Sequence, residues 1–217
     1  MPATKNVETL LQKYEQRKDE IKKRLEEFRN VFNQDDKRIF TELAFCLCTP
    51  QSKATSAWNA ITALTKNNFL FSGTEQQIQP FLNTVRFNES KSKHIAASRN
   101  MFTSDGEIKI KQKLLEFGGN QLAMREWFAE NVMGLGMKEA SHFLRNVGFG
   151  SELAILDRHI LKNLYEYGAI EELPKTLTEK KYVEIEKKMK EFAEKIGIPF
   201  EELDLLLWAE ETGFIFK

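Results

Sequence analysis

Lys138 in GLGMKEA (residues 134–140) and Asp157 in ILDRHIL (155–161) are the two side chains whose type and setting suit them to chemistry. The lysine opens a helix-forming stretch, so its ammonium faces the positive end of the helix dipole, the wrong end for stability. The same placement disfavours the charged form, and burial would add to that. An ordinary lysine, with a pKa near 10.4, is neutral in roughly one molecule in a few thousand at pH 7. A setting that enriches the neutral amine makes a nucleophile. Asp157, nineteen positions on, precedes the apolar residues Ile160, Leu161 and Leu164, where an N-cap belongs. Capping leaves one carboxylate oxygen to steady positive charge at a reacting centre. The plainer alternatives are a lysine that only points into water and an aspartate that only caps.

Two glycines stand just ahead of the lysine. Gly134 and Gly136 permit a tight turn and the close approach of another backbone, and the amides opening the next helix suit a phosphate oxygen. A plain helix–helix corner would use the same glycines. The apolar spacing around them predicts helices over 120–132 and 138–147, a helical hairpin spanning about 120–147. Elsewhere helical periodicity dominates. Residues 7–32 carry Val7, Leu10, Leu11, Tyr14, Ile21, Leu25, Phe28, Val31 and Phe32 on one side. Further helices are expected over 36–48, 52–66, 75–84, 89–102, 157–167, 178–196 and 200–211, with turns in NFLFSG, FTSDGE and EFGGN. Only GEIKIKQK alternates, as a short extended segment. The expectation is an all-α chain of about ten helices, residues 1–217 forming one domain.

Composition excludes little. The 32 basic and 32 acidic residues cancel, so no global charge announces nucleic acid and any such reading rests on local charge. Cys46 and Cys48 are the only cysteines, too few for a zinc or iron–sulfur set, and read as buried thiols in a reducing compartment. The N-terminus lacks the apolar core of a signal peptide, and apolar runs such as LLLWA at 205–209 are far too short to span a bilayer. A soluble cytoplasmic protein, nucleoid-associated when on DNA, is expected.

The pattern G-hydrophobic-G-x-K-x-A, followed nineteen residues after the lysine by the aspartate of DRH, resembles the helix–hairpin–helix DNA glycosylases. Within them it is similar to the compact archaeal and bacterial 8-oxoguanine DNA glycosylases. The likeness runs from about Glu42, through CTPQSKA, to Lys217, and is weakest over residues 1–35. It implies two helical lobes around a DNA-binding cleft, with Lys138 the nucleophile, Asp157 its partner and His159 on a backbone phosphate. Attack by an amine at the sugar C1′ gives a Schiff base and allows β-elimination, so lyase activity is implied too. The family also implies a monovalent cation, Na+ or K+, held by backbone carbonyls of Glu130, Val132 and Leu135. Met133 stands where a proline is common, so the hairpin entry is expected to differ slightly. No cofactor is required, and the cluster-binding cysteines of the endonuclease III branch are absent.

A flipped base must be read in a pocket. Trp208 suits stacking on a purine, although a tryptophan on an amphipathic helix also packs in a core. Asp204, one turn earlier, is an acceptor matched to guanine N1–H and N2–H2. Lys217 follows the apolar FIF, which can dock the tail. In the resembling family a lysine nine positions after the tryptophan senses the O8 carbonyl. For the duplex, Gln51 and Ser52 lie where the superfamily approaches the minor groove and the vacated stack. Phe87 is a wedge candidate, and Arg86, Lys91 and Lys93 are candidates for phosphates. The expected partner is double-stranded DNA containing 8-oxoguanine, read by a monomer that uses no membrane. Alternatives are a glycosylase for another damaged base and a non-catalytic helix–hairpin–helix DNA-binding module, which would need the glycines but not the lysine and aspartate.

Overall fold

The apolar stripe of the N-terminal segment folds as one 26-residue helix, α1 (Val7–Phe32), burying Leu10, Tyr14, Ile21, Leu25, Phe28 and Val31. This computed structural model describes residues 5–217. It forms two compact units: Met1–Phe28 with Gly150–Lys217, and Arg29–Phe149. The long helix starts in the first and ends in the second.

In the unit Arg29–Phe149, α2 (Asp36–Cys48) is buried at every position from Ile39 to Cys48 and forms the centre of the packing. Asp35 caps it by accepting from the Arg38 N–H. Around it lie α3 (Ala54–Lys66), α4 (Phe69–Ser72), α5 (Glu75–Ile78) with a following 3-10 turn (Gln79–Leu82), and α6 (Asn88–Met101). A two-residue hairpin, β1 (Thr103–Ser104) and β2 (Glu107–Ile108), pairs Thr103 with Ile108 and leads to α7 (Ile110–Leu115). The unit closes with α8 (Gln121–Asn131) and α9 (Met137–Asn146). Phe40, Phe45, Ile61, Phe128 and Phe143 are fully buried in its core.

The other unit adds α10 (Arg158–Glu166), α11 (Glu179–Ile196) and α12 (Phe200–Thr212) to most of α1. Ile160, Leu164, Ile185, Met189, Leu203 and Leu206 fill its interior. The Tyr14 hydroxyl donates to Glu202 at 2.8 Å, and Lys13 pairs with Glu210, binding α1 to α12. Burial, reinforced by the Glu202 carboxylate, pushes the Tyr14 phenol up to about 12. No helix among the described residues is long and apolar enough to cross a membrane.

The expected helices form, and the fold is mostly helical, with three local corrections. NFLFSG, read as a turn, contains the short helix α4. The segment 75–84 gives one α-turn and then a 3-10 turn, because Pro80 has no N–H to continue the ladder. GEIKIKQK is strand only at Glu107–Ile108. Ile110 and Leu114, four apart and both fully buried, turn the remainder into α7.

Candidate active site

The hairpin is built in the unit Arg29–Phe149. Helix α8 ends at Val132, whose N–H donates to the Phe128 carbonyl and whose own carbonyl accepts from the Leu135 N–H at 3.1 Å. Gly134 follows at φ +86°, a conformation L side chains rarely adopt, and a Cβ there would lie 2.2 Å from His94 Nδ1. Glycine is therefore required twice over. Gly136 is different. Its φ is −102°, and an added Cβ would meet only Glu139 Oε2 at 3.4 Å. Its missing side chain keeps the approach to α9 open. No side chain caps that helix, so the first-turn amides of Met137, Lys138 and Glu139 precede its first internal bond, from Ala140 N–H to Gly136 O.

Lys138 stands on this first turn with its side chain one-quarter exposed, and its Nζ lies 2.9 Å from Glu139 Oε1. That carboxylate was readable in the sequence as the next residue but had no assigned part. Behind the lysine, α9 is held firmly. Phe143 packs on Phe128 of α8 with ring centroids 5.1 Å apart, and His142 meets the edge of Phe45 from α2 at 5.5 Å. Asn146 donates to the fully buried Glu42 at 3.0 Å, and Arg38 pairs with the same carboxylate at 2.6 Å. A buried charge is tolerable when paired and hydrogen-bonded in this way.

The same unit carries the duplex candidates. Gln51 (φ 54°) and Phe87 (φ 59°) are both exposed, and both have left-handed backbones. The Arg86 guanidinium lies 5.4 Å from the Phe87 ring. Ser52, expected at the DNA, turns its hydroxyl inward to accept from the Arg86 N–H at 3.0 Å. Lys91 does not face phosphate: it is buried, and its ammonium donates to Cys48 O (2.8 Å), Pro50 O (2.7 Å) and Ser52 Oγ (3.2 Å). Burial is the main cause that lowers the Lys91 pKa. Cys48 opposes the shift, and the charge of Lys138 adds to it. Lys93 is exposed and paired with Glu89. Cys46 and Cys48 are buried thiols, and burial pushes the latter up to about 12. Helix α6 thus touches two candidate regions, through Lys91 at the 48–52 turn and through His94 at the hairpin glycine.

In the unit of Met1–Phe28 and Gly150–Lys217, Asp157 is the N-cap of α10. Oδ1 alone accepts the N–H groups of His159 (2.8 Å) and Ile160 (2.9 Å). Oδ2 accepts no hydrogen bond from the described residues, which is the division between cap and spare oxygen that the sequence suggested. The buried segment leading to it, Leu153–Leu156, is gripped from α11. The Tyr182 hydroxyl donates to Ala154 O (2.6 Å) and accepts from Leu156 N–H (3.2 Å), and Glu186 accepts from Ala154 N–H (2.7 Å). Nothing local in the sequence announces this grip. His159 lies 3.5 Å from Glu211, which also accepts from the fully buried Asn163.

On α12, Asp204 is buried and Trp208 half-buried. Gly213 ends the helix in the left-handed conformation, and its carbonyl accepts from Arg17. The chain then returns so that Phe214 meets the edge of Trp208 at 6.0 Å, with Ile215 buried and Lys217 half-buried. The apolar tail docks as its composition implied. Lys138 and Asp157 belong to different units, each fixed by its own unit's packing.

Comparison with known proteins gives a consistent result. Residues 21–198 match the family model described as 8-oxoguanine DNA glycosylase. An 8-oxoguanine DNA glycosylase/AP lyase of Fusobacterium nucleatum is 49% identical over 205 residues, 94% of each chain. The protein of the same name from Methanocaldococcus jannaschii is 36% identical, covering 92% of this chain and 93% of that one. The crystal structure of the M. jannaschii glycosylase/lyase in complex with a 15mer DNA containing 8-oxoguanine superposes with a TM-score of 0.86 at 33% identity, over 96% of this chain and all of that one. The 8-oxoguanine DNA glycosylase of Thermotoga maritima gives a TM-score of 0.81 at 29% identity, over 97% of this chain and 98% of that one.

Proposed function

Since the chain belongs to the 8-oxoguanine DNA glycosylase family, we propose that it removes 8-oxoguanine from duplex DNA and then cleaves the strand, with Lys138 as nucleophile and Asp157 as electrostatic partner. The observation that carries the reading is a lysine on the uncapped first turn of a glycine hairpin, in a chain that also carries an aspartate with one oxygen outside its cap.

Lys138 gives up its ammonium proton to solvent on leaving its Glu139 contact, and the amine bonds to C1′ while the C1′–N9 bond breaks, its electron pair leaving with the base, which takes up a proton from solvent. Asp157 Oδ2 steadies the positive charge that develops on the sugar. The amine loses its proton as ring opening yields the imine. Loss of a C2′ proton then expels the 3′ phosphate by β-elimination. Trp208 stacks on the extruded purine, Asp204 accepts from N1–H and N2–H2, and Lys217 donates to O8, where unmodified guanine offers only C–H. Gly134, Gly136, His159 and Arg86 lie along phosphates, and Gln51 and Phe87 serve the vacated stack, with Ser52 behind them. Carbonyls of Glu130, Val132 and Leu135, hard oxygen donors in the last turn of α8 and the loop to α9, suit a monovalent cation such as Na+ or K+, which would supply positive charge beside a phosphate. The protein acts as a monomer, in the cytoplasm, and needs no cofactor for chemistry.

A panel of duplexes tests this, each with one lesion and all four opposite bases, with base release and nicking scored separately. Release of 8-oxoguanine with β-elimination products supports it. Release of a different damaged base alone would favour a re-tuned pocket, and binding without release would favour a DNA-binding module.

A further inference from the structure

Gln51 and Phe87 are thirty-six residues apart, yet they share one anchor. Both hold a left-handed backbone without being glycine, which costs on the order of 1 kcal/mol or more each and persists only where the surroundings impose it. One residue, Lys91, is bonded to both turns. The backbone N–H of Lys91 donates to the Phe87 carbonyl at 3.0 Å, the first bond of α6. Its ammonium donates to the carbonyls of Cys48 and Pro50 and to the Ser52 hydroxyl, so the acceptors bracket Gln51 on both sides. An ammonium has three donors and no acceptor, and three acceptors meet it. The Ser52 hydroxyl closes the loop by accepting from the Arg86 N–H. Lys91 also supplies what α2 lacks, a cation at its C-terminal turn, since none of its own last residues is basic.

A lysine only 4% exposed in this position is costly unless its bonds do something. Packing alone would be served as well by an apolar side chain. We propose that Lys91 is a positioning residue that binds Gln51 and Phe87 into one two-pronged element, and so sets how strictly the base opposite the lesion is chosen. This rests on the reading above in which those two residues serve the vacated stack. Phe87 fills the space left by the extruded base, and Gln51, with both an acceptor and a donor on its amide, faces the orphaned partner. Cutting the link leaves both side chains in place but lets each backbone relax independently.

Lys91→Met keeps length and apolar bulk and removes the ammonium donors to the 48–52 turn, while the backbone bond to the Phe87 carbonyl stays. Ser52→Ala removes the shared acceptor, and Ser52→Thr restores a hydroxyl. Single-turnover excision from 8-oxoguanine duplexes with each opposite base, over a range of enzyme concentration, is the measurement. In folded Lys91→Met the preference for the best opposite base over the worst drops by about tenfold or more. Half-saturation rises, while the rate at saturation stays within about threefold. Ser52→Ala moves the same way by less, and Ser52→Thr recovers. Unchanged selectivity in folded Lys91→Met overturns the proposal, and so does a loss confined to melting temperature. If Lys91→Met does not fold, Ser52→Ala with the Ser52→Thr rescue decides by the same criterion. If the wild-type chain releases no 8-oxoguanine, it is the proposed activity that fails, which the wild-type control shows separately.

Discussion

In the unit Arg29–Phe149 the candidate groups ride on exposed or strained backbone: Gln51 and Phe87 at positive φ, Gly134 at +86°, and Lys138 on a helix start that no side chain caps. In the unit of Met1–Phe28 and Gly150–Lys217 they are side chains held from behind. Asp157 is fixed by its cap and by the grip of Tyr182 and Glu186 on the preceding residues, Asp204 is buried, and Ile215 pins the tail. In the function proposed above, the contrast matches two tasks. Gripping a duplex calls for amides, cations and wedges that are indifferent to sequence. Recognising one oxidised purine and stabilising a short-lived cation call for preorganised polar groups whose positions do not drift.

The contrast has consequences that can be measured, beginning with the largest. Lys138→Gln should abolish the adduct trapped by borohydride on 8-oxoguanine DNA and lower strand nicking by at least about a thousandfold. An undiminished adduct would move the nucleophile elsewhere. Asp157→Asn retains an oxygen for the cap, so melting should change little while base release falls by about a hundredfold or more. A normal rate in that variant would make Asp157 a cap and nothing else.

The two hairpin glycines separate stability from binding. Gly134→Ala meets both the positive φ and the His94 ring, and should cost about 1–3 kcal/mol in stability. Gly136→Ala has room, so its melting temperature should hold while affinity for any duplex drops. Equal melting temperatures for the two would refute the clash with His94. The smallest effect is a pH dependence. Burial, and then the charge of Lys91, hold the His94 imidazole below its ordinary 6.5. The unfolded chain therefore binds this proton at a higher pH than the folded one, and stability is lost as pH falls through and below about 6.5. Denaturant midpoints at about pH 7 and about pH 5 should differ less in His94→Gln than in the wild type.

Much of this could be anticipated from the chain alone. The long helices announce themselves because apolar residues recur every three or four positions, as in α1 and α11, and a helix is a local structure. The Lys138 and Asp157 motif is likewise a matter of type and spacing. The misreadings share a cause. Ile108 and Ile110 look like alternation, yet Ile110 belongs with Leu114 on a buried face. Lys91 and Lys93 look alike beside a glutamate and a histidine, yet one is buried against carbonyls 41 and 43 residues away and the other is exposed.

The amino-acid sequence by itself determined the helical character, the glycine hairpin, the nucleophile candidate and the capping aspartate, because each is written within a few neighbouring residues or one fixed interval. Only the tertiary structure decided which lysine is buried, that His94 makes Gly134 irreplaceable, and that Tyr182 and Glu186 hold the approach to Asp157. Those facts arise from contacts between residues far apart in the chain, and burial, hydrogen bonding and steric fit take their values only once such residues meet.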